Sequence, residues 1–241
     1  MSYITAMVLC DGIVMAADRQ ITQSAGMKKI NPQTANNTAE QQVIELVNRK
    51  LDSINFDKPL TRSAKKLFTI GDNVGVAQGQ NMFSSKGLPI NMFVDAFCRR
   101  NNFVSPKEAA EKLLEYLRTI DSTADTIFMV AGYDKSKPDV LTGDAWHINV
   151  RDNECCLMNN PGFSYAGAND YFLEFSNKIN DLSKIMNYSL QDGINICKLA
   201  IDTSRGLERY IDFNEAISDE IEMIVVTIDG IKWIKKAELV L

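Results

Sequence analysis

The sequence predicts an α+β protein in which helices flank antiparallel sheets. The predicted elements come in runs of strands, two helices, strands, two helices and strands, whereas a parallel α/β fold would alternate strand and helix strictly. Tight-turn dipeptides such as Asp11-Gly12 and Asp229-Gly230 separate neighbouring β-rich segments, which is typical of hairpins. Together these observations favour sheets built from hairpins and covered by helices.

Two hairpins are predicted in the N-terminal third of the chain. The first surrounds Asp11-Gly12, and the second surrounds Gly71-Asp72-Asn73. The strands are predicted at Ser2–Cys10 with Ile13–Ala17, and at Lys66–Ile70 with Val74–Gln78.

A polar segment rich in Asn, Gln and Lys separates the two hairpins. It contains one periodic stretch, TAEQQVIELVNRKLDSI, which Thr38 and Gln41 would open as a capping box. We expect residues 23–64 to be an insertion into a single domain that spans 1–241. The inserted helix would narrow a site, make a subunit contact or lie solvated on the surface. The residues predicted to share its apolar face are Val43, Leu46, Val47 and Ile54.

The remaining elements follow from periodicity and end signals. Residues 90–100 have one apolar face, and the next helix has Ser105 as its N-cap, Pro106 in its first turn and Glu108 three residues after the cap. Strands are then predicted at Ile127–Tyr133, Val140–Val150 and Glu154–Tyr165, helices at Tyr171–Ile179 and Leu190–Tyr210, and strands at Ile221–Ile228 and Ile231–Ala237.

Composition limits the class of protein and its partners. The 241 residues are 45% hydrophobic and 24% charged, which is ordinary for a globular protein. A formal net charge of −5 offers no broad cationic surface for a phosphate backbone, so we expect no nucleic-acid partner. No stretch approaches the roughly 18 consecutive apolar residues of a membrane-spanning helix, so we expect no membrane partner.

The five cysteines favour a reduced, cytoplasmic protein. Their number is odd and no CxxC pair occurs, and Met1–Thr22 lacks the early basic residues and unbroken apolar run of an export signal. Adjacent Cys155 and Cys156 would face opposite sides of a strand, so we expect them to be small buried side chains rather than joint metal ligands.

His147 is the only histidine, which limits the possible catalytic chemistry. A single histidine excludes an HExxH motif and any zinc site that needs two histidines. Ser-His-Asp chemistry would have to use His147, and the chain has no GxSxG nucleophile turn. We therefore expect no metal site and no histidine-based hydrolase.

Ser2 offers a way to activate a hydroxyl without histidine. After removal of Met1, its α-amine would be a base near neutral pH, covalently held beside its own hydroxyl. A nearby ammonium would favour the neutral amine, and a carboxylate would hold that ammonium. The candidate ammonium is Lys66, at the start of the third predicted strand, and the candidate carboxylate is Asp18, at the end of the second.

The stretches DGIVMAADRQIT and AKKLFTIGDNVGVA resemble the opening of proteasome β subunits and their bacterial relatives, the Anbu-like and HslV-like N-terminal-nucleophile hydrolases. In that family the first mature residue is the nucleophile, an acid follows sixteen positions later, and a lysine begins the third strand. The resemblance assigns these roles to Ser2, Asp18 and Lys66, and the spacing selects Ser2 over Thr5. It continues weakly in VAGYD, SYAGAND and IEMIVVTIDG, and it implies a four-layer αββα sandwich.

The sequence departs from the family pattern at several places. The nucleophile is serine where proteasomal subunits usually have threonine. A family glycine that supplies an oxyanion N–H falls at Gln80 by simple counting, and a one-residue gap would bring Gly79 there instead. The turn Gly167-Ala168-Asn169 lacks the hydroxyl that the family often has. Asp212 and Ser218 are the best candidates for the late supporting residues, although their spacing fits poorly.

The resemblance implies a hydrolase that cleaves peptide or amide bonds through an acyl-enzyme, with no metal or organic cofactor. It also implies self-association into a ring or related homo-oligomer, and an unfoldase partner is a further expectation. Two alternatives remain open at the level of sequence. One is a non-catalytic structural subunit of a proteasome-like assembly, and the other is a small-substrate acylase that uses the same chemistry.

Overall fold

The fold is given by a computed structural model that describes residues 3–23, 41–42, 44–45, 48, 60–136, 143–158, 160–167, 173–211 and 217–235. Within these ranges no helix has the length and apolar character needed to cross a membrane. Four predicted residues of the inserted helical face, Val43, Leu46, Val47 and Ile54, lie outside the described residues. Of that segment, the described positions between 41 and 48 are helical, and Ile44 is buried.

Twelve strands and, beyond the helical positions at 41–48, five helices are found in the described part of the chain. The strands are β1 Ile4–Val8, β2 Ile13–Asp18, β3 Gln20–Gln23, β4 Leu60–Ser63, β5 Leu67–Ile70, β6 Val74–Gln80, β7 Thr126–Gly132, β8 Asp144–Asn149, β9 Glu154–Leu157, β10 Gly162–Ala166, β11 Ile221–Thr227 and β12 Gly230–Lys235. The helices are α1 Ile90–Arg100, α2 Pro106–Asp121, α3 Leu173–Ile179, α4 Leu182–Ile185 and α5 Leu190–Ile211.

The strands form two five-stranded antiparallel sheets, which confirms the predicted α+β class. Sheet I has the order β10-β1-β2-β11-β12, and sheet II has the order β5-β6-β7-β8-β9. The predicted hairpins are present: β1 pairs with β2, β5 with β6 and β11 with β12. Gly71 and Gly230 adopt positive φ in two of these turns, a conformation that glycine accepts without a Cβ clash.

Both sheets have a buried face toward helices and a second buried face toward each other. Residues of β1, β2 and β11 in sheet I pack against Leu67, Ala77 and Met129 of sheet II in one apolar cluster. A second cluster joins sheet II to α1 and α2, and a third joins sheet I to α5. Because β1 and β2 are buried on both faces, their sequences are apolar except for Thr5 and Asp18 and do not alternate.

The helix that begins at Pro106 matches its predicted start. The Ser105 side chain accepts a hydrogen bond from the Glu108 backbone N–H at 3.2 Å, so the cap predicted from sequence is formed. The buried face of α2 includes Leu113 and Leu117 and lies against sheet II. Local signals were sufficient here because the cap and the apolar face are both set within one segment.

The prediction of one strand over Glu154–Tyr165 was wrong. The structure has two strands there, and they belong to different sheets: β9 is an edge strand of sheet II and β10 is an edge strand of sheet I. Pro161 lies between them, after a cis peptide bond with Asn160. Proline has no N–H to donate to a ladder, so it interrupts strand pairing at this position.

A two-stranded sheet at the base of the 23–64 segment was not predicted. Strands β3 and β4 pair in antiparallel register, with Gln20 opposite Ser63 and Gln23 opposite Leu60. Residues 20–23 follow β2 directly, and residues 60–63 lead directly to β5. The two ends of the segment therefore meet beside the end of β2 and the start of β5.

Candidate active site

The end of β2 and the start of β5 bring together a carboxylate and an ammonium that are far apart in sequence. Lys66 Nζ lies 2.9 Å from Asp18 Oδ1, and both side chains are 0% exposed. Asp18 is the last residue of β2, and Lys66 immediately precedes β5. The structure thus brings together two of the three residues to which the sequence assigned catalysis.

The Asp18 carboxylate is held at both oxygens. Its Oδ1 accepts the Tyr3 backbone N–H at 2.7 Å in addition to the Lys66 ammonium, and its Oδ2 accepts the Gln20 backbone N–H at 2.9 Å. The Lys66 ammonium also donates to the Gln20 carbonyl oxygen. Because each group has several partners, the orientation of the pair is fixed by the strands that carry it.

Burial dominates the electrostatics of Lys66. Removal from water lowers the pKa of Lys66 from the ordinary lysine value, since burial disfavours the charged form. The Asp18 carboxylate opposes that effect most strongly, followed by the carboxylates of Glu222 and Glu208. A buried ammonium with a lowered pKa and a carboxylate partner is the kind of group that catalytic sites use.

Glu222 is a further buried acid at this position that the sequence analysis did not identify. Its Oε2 accepts the backbone N–H groups of Lys66 and Leu67, both at 3.3 Å. Its Oε1 lies 3.9 Å from Arg19 Nε. Burial raises the pKa of Glu222, and the two N–H donors and Arg19 act in the opposite direction. The signal in the sequence was a single acid inside the apolar run IEMIVV of β11.

Ser2 and Asp212 lie outside the described residues. The nearest described atom to Ser2 in the chain is Tyr3 N, the amide nitrogen of the peptide bond between Ser2 and Tyr3, and this is the N–H that Asp18 accepts. Ser218 is described: its Oγ accepts the N–H groups of Arg19 at 3.3 Å and Glu220 at 3.0 Å and donates to the Glu220 carbonyl at 2.7 Å. Ser218 therefore contacts the residue that follows Asp18.

The backbone pattern of β6 separates the roles of Gly79 and Gln80. The Asn81 N–H donates to the directly opposite Asp125 carbonyl at 3.2 Å, so odd-numbered residues of β6 exchange hydrogen bonds with β7. By this alternation the Gly79 N–H is used in the ladder with Ile127.

Gln80 has the opposite orientation and an uncommon backbone conformation. The Gln78 N–H donates to the Lys66 carbonyl at 2.8 Å, so even-numbered residues of β6 face β5. By the same alternation we expect the Gln80 N–H to face that side, beyond the first residue of β5. Gln80 also has φ of 58°, which is costly for a residue with a Cβ, and such strain is often found at functional sites.

The cysteines and the histidine lie in other surroundings. All five cysteines are free, and burial raises the pKa of both Cys98 and Cys197 to about 12. The expectation of buried side chains was wrong for Cys156, which is exposed, while Cys155 is half-buried. Cys156 Sγ lies 4.0 Å from His147 Nδ1, across the β8–β9 ladder.

The structure describes part of two other predicted features. No group of three His, Cys, Asp or Glu side chains suited to a metal ion occurs among the described residues.

In the turn Gly167-Ala168-Asn169, only Gly167 is described, and it has φ of 87°. The other two residues of that turn lie outside the described ranges.

Comparison with known proteins gives a structural likeness without a sequence match. No family model matches the chain, and no curated protein matches it. Anbu (ancestral beta-subunit) from Yersinia bercovieri superposes with a TM-score of 0.61 at 15% identity, over 98% of this chain and 88% of that chain. A Gly-1 mutant of Anbu from Hyphomicrobium sp. strain MC1 superposes with a TM-score of 0.61 at 14% identity, over 98% of this chain and 86% of that chain. The chain therefore has the fold of these Anbu structures.

Proposed function

We propose that the protein is an N-terminal serine hydrolase that cleaves peptide or amide bonds through an acyl-enzyme. The observation that carries this proposal is the buried contact of 2.9 Å between Lys66 Nζ and Asp18 Oδ1, in which the same Asp18 oxygen accepts the Tyr3 N–H. Ser2 is joined by a peptide bond to Tyr3, whose N–H Asp18 accepts. The likeness to Anbu supports the same proposal at the level of fold.

In the proposed reaction, the Ser2 α-amine takes the proton of the Ser2 hydroxyl, and Oγ bonds to the substrate carbonyl carbon. The tetrahedral intermediate collapses, the C–N bond breaks, and the leaving amine takes the proton back from the α-ammonium. Water then attacks the ester with the α-amine again as base, and Oγ recovers its proton as the acid product leaves. The Lys66 ammonium favours the neutral α-amine, and Asp18 orients Lys66.

The oxyanion would be stabilised by backbone N–H groups at the end of β6. Gly79 was the candidate from sequence, but the ladder alternation directs its N–H toward β7. We therefore propose that this role belongs to the backbone around Gln80, which occupies the position that simple counting assigns to the family glycine and has an uncommon backbone conformation.

The test is intact-protein mass before and after reaction with a β-lactone electrophile. Loss of Met1 and addition of one acyl group are expected, and Ser2→Ala should remove the label. Lys66→Ala should slow labelling by roughly 10- to 10³-fold, because loss of a nearby positive charge raises the pKa of the α-amine by about one to three units and leaves less of it neutral. Lys65→Ala is the matched control and should label at the normal rate.

Two outcomes would contradict the proposal. Retention of Met1 would leave no free Ser2 amine, and loss of Met1 without labelling under several electrophiles would leave no active nucleophile. Either result would favour a non-catalytic structural subunit. If Ser2 labels, a panel of peptides and small acyl amides would separate a peptidase from a small-substrate acylase.

We also propose that the layers form a four-layer αββα sandwich in a single domain, with residues 23–64 inserted into it. The three apolar clusters support the layers, since one joins the two sheets and the others join each sheet to helices. The pairing of β3 with β4 supports the insertion, because its ends come together in a two-stranded sheet.

Self-association is a further part of the proposal. The Yersinia protein is described as an ancestral beta-subunit, and we propose that this chain likewise forms a homo-oligomer, in a ring or a related arrangement. Sedimentation velocity should give a mass well above the 27.0 kDa of one chain, and a monomer at micromolar concentration would contradict it. A cytoplasmic location is supported by the five free cysteines, and an unfoldase partner stays a prediction.

A further inference from the structure

Glu222, a side chain of sheet I, accepts hydrogen bonds from the backbone at the start of β5, and it has no part in the proposed reaction. β5 is an edge strand of sheet II, and by the ladder alternation the Leu67 N–H points away from its neighbour β6. Glu222 of β11 accepts this N–H and that of Lys66 with a single oxygen, at 3.3 Å each. A buried backbone N–H without a partner is costly, so this carboxylate satisfies two groups that the edge strand leaves unpaired.

The same carboxylate belongs to a chain of contacts around the backbone before Lys66. Arg19 Nε lies 3.9 Å from Glu222 Oε1, and an Arg19 guanidinium N–H donates to Glu220 Oε2 at 2.8 Å. Ser63 also donates to Glu220 Oε2, at 3.3 Å, and the Ala64 N–H donates to the Arg19 carbonyl at 2.7 Å. The backbone from Ser63 to Leu67 is thus anchored to β11 and to the residue after Asp18.

We infer that Glu222 is a positioning residue for Lys66, which it holds through the backbone at the start of β5 while supplying a second buried negative charge beside the ammonium. The first contribution is geometric, because Lys66 precedes the regular part of β5 and Glu222 accepts its N–H directly. The second is electrostatic, because the Glu222 side chain is only 3% exposed and its charge is poorly screened. The expected effect on Ser2 rests on the proposed function, whereas the expected effect on Lys66 does not.

Other charged groups face the same space and must be considered in any pH dependence. Asp18 of β2 contacts the Lys66 ammonium. The negative charge of Glu208 in α5 also favours the charged form of Lys66. Arg19 and Lys65 favour the carboxylate form of Glu222. Removal of the Glu222 charge leaves the contact between Asp18 and the ammonium in place, so the effect should be partial.

The substitution Glu222→Gln separates the two contributions. The amide oxygen can still accept the N–H groups of Lys66 and Leu67, but the negative charge is gone. The pKa of Lys66, followed by ¹³Cε NMR of labelled lysine with Lys66→Arg for assignment, should fall by about one unit, the size expected for loss of one close opposite charge. The pH profile for labelling of Ser2 should move to lower pH in the same variant.

Two further variants complete the test. Glu222→Ala removes the acceptor as well as the charge, so it should slow Ser2 labelling up to about tenfold more than Glu222→Gln does, the equivalent of roughly one lost hydrogen bond to a neutral acceptor. Glu220→Gln is the matched control, because Glu220 also pairs with Arg19 but is 61% exposed, and it should change the Lys66 pKa much less.

The NMR measurement keeps this inference separate from the proposed function. Lys66 titrates whether or not Ser2 is active, so a wild-type protein that fails to label would contradict the hydrolase and leave the test of Glu222 intact. The inference would be overturned if Glu222→Gln left the Lys66 titration unchanged, or if Glu220→Gln shifted it by the same amount.

Discussion

Two adjacent lysines of this chain form ion pairs of similar geometry in opposite surroundings. Lys65 Nζ lies 2.7 Å from Asp95 of α1 and 4.8 Å from the centre of the Phe68 ring, and its side chain is 42% exposed. Lys66 Nζ lies 2.9 Å from Asp18, and both side chains are fully buried. The distance within an ion pair therefore does not measure its contribution to stability. When one partner of a buried pair is removed, the other charge is left without either its partner or water, whereas water solvates the remaining charge of an exposed pair.

The largest difference should come from removing each ammonium in turn. Lys66→Met leaves the Asp18 carboxylate buried without its partner, so the free energy of unfolding should fall by about 3–5 kcal/mol, the usual result of breaking a buried pair. Lys65→Met should cost less than about 1 kcal/mol. Urea denaturation of both variants measures this, and equal losses would remove the distinction between the two lysines.

The pH dependence of stability should also distinguish the buried lysine. Burial lowers the pKa of Lys66 below the ordinary value of 10.5, so between the two values the unfolded state keeps a proton that the folded state has lost. The free energy of unfolding should therefore rise with pH in this window, by at most about 1.4 kcal/mol per unit for one proton.

Thermal denaturation of wild type and Lys66→Met between pH 8 and pH 10 is the measurement. The wild type should gain stability relative to the variant as the pH rises, and Lys65→Met should follow the wild type. Parallel curves for wild type and Lys66→Met would contradict the lowered pKa.

A smaller effect is expected at Gln78, the residue directly across the β5–β6 ladder from Lys66. Its side chain is fully buried, yet neither the amide oxygen nor the amide nitrogen has a hydrogen-bond partner among the described residues. Gln78→Met should raise the free energy of unfolding by about 1 kcal/mol, because a buried unpaired polar group costs about that much or more. A loss of stability would instead indicate that the amide is paired in solution.

The smallest effect should be the salt dependence of the exposed pair. Asp95→Asn breaks the contact with Lys65 and also one with Arg99, and exposed pairs contribute only about 0.2–1 kcal/mol. This loss should shrink as salt is raised from 0.05 to 0.5 M, whereas the cost of Lys66→Met should hardly change. Equal sensitivity to salt would argue that the Lys66 pair is open to solvent.

Much of the fold could be predicted because its signals are local. The bounds of α1 and α2 follow from an apolar face and a capping serine, and the turns at Gly71 and Gly230 follow from the need for positive φ. The split between β9 and β10 was missed although Pro161 lies between them, because no local signal assigns the two strands to different sheets. Exposure of Cys156 was missed because the sequence does not reveal that β9 is an edge strand.

The candidate site was predictable in part for a similar reason. Asp18 and Lys66 were selected by spacing and by resemblance, and a lysine doublet by itself does not say which member is buried. Glu222 was missed because a single acid in an apolar strand has no local partner in the sequence. Its partners, the N–H groups of Lys66 and Leu67, are more than 150 positions away.

The sequence by itself determined the α+β class, the hairpin turns, the capped helix after Ser105 and the identity of one acid and one lysine worth testing. These depend on propensity, periodicity and spacing, which act within a few residues or are carried by a family pattern. Only the tertiary structure decided that Lys66 and not Lys65 is buried, and that Glu222 accepts the backbone N–H of Lys66. Those outcomes depend on which strands meet across two sheets, and burial and pairing between distant segments have no local signature.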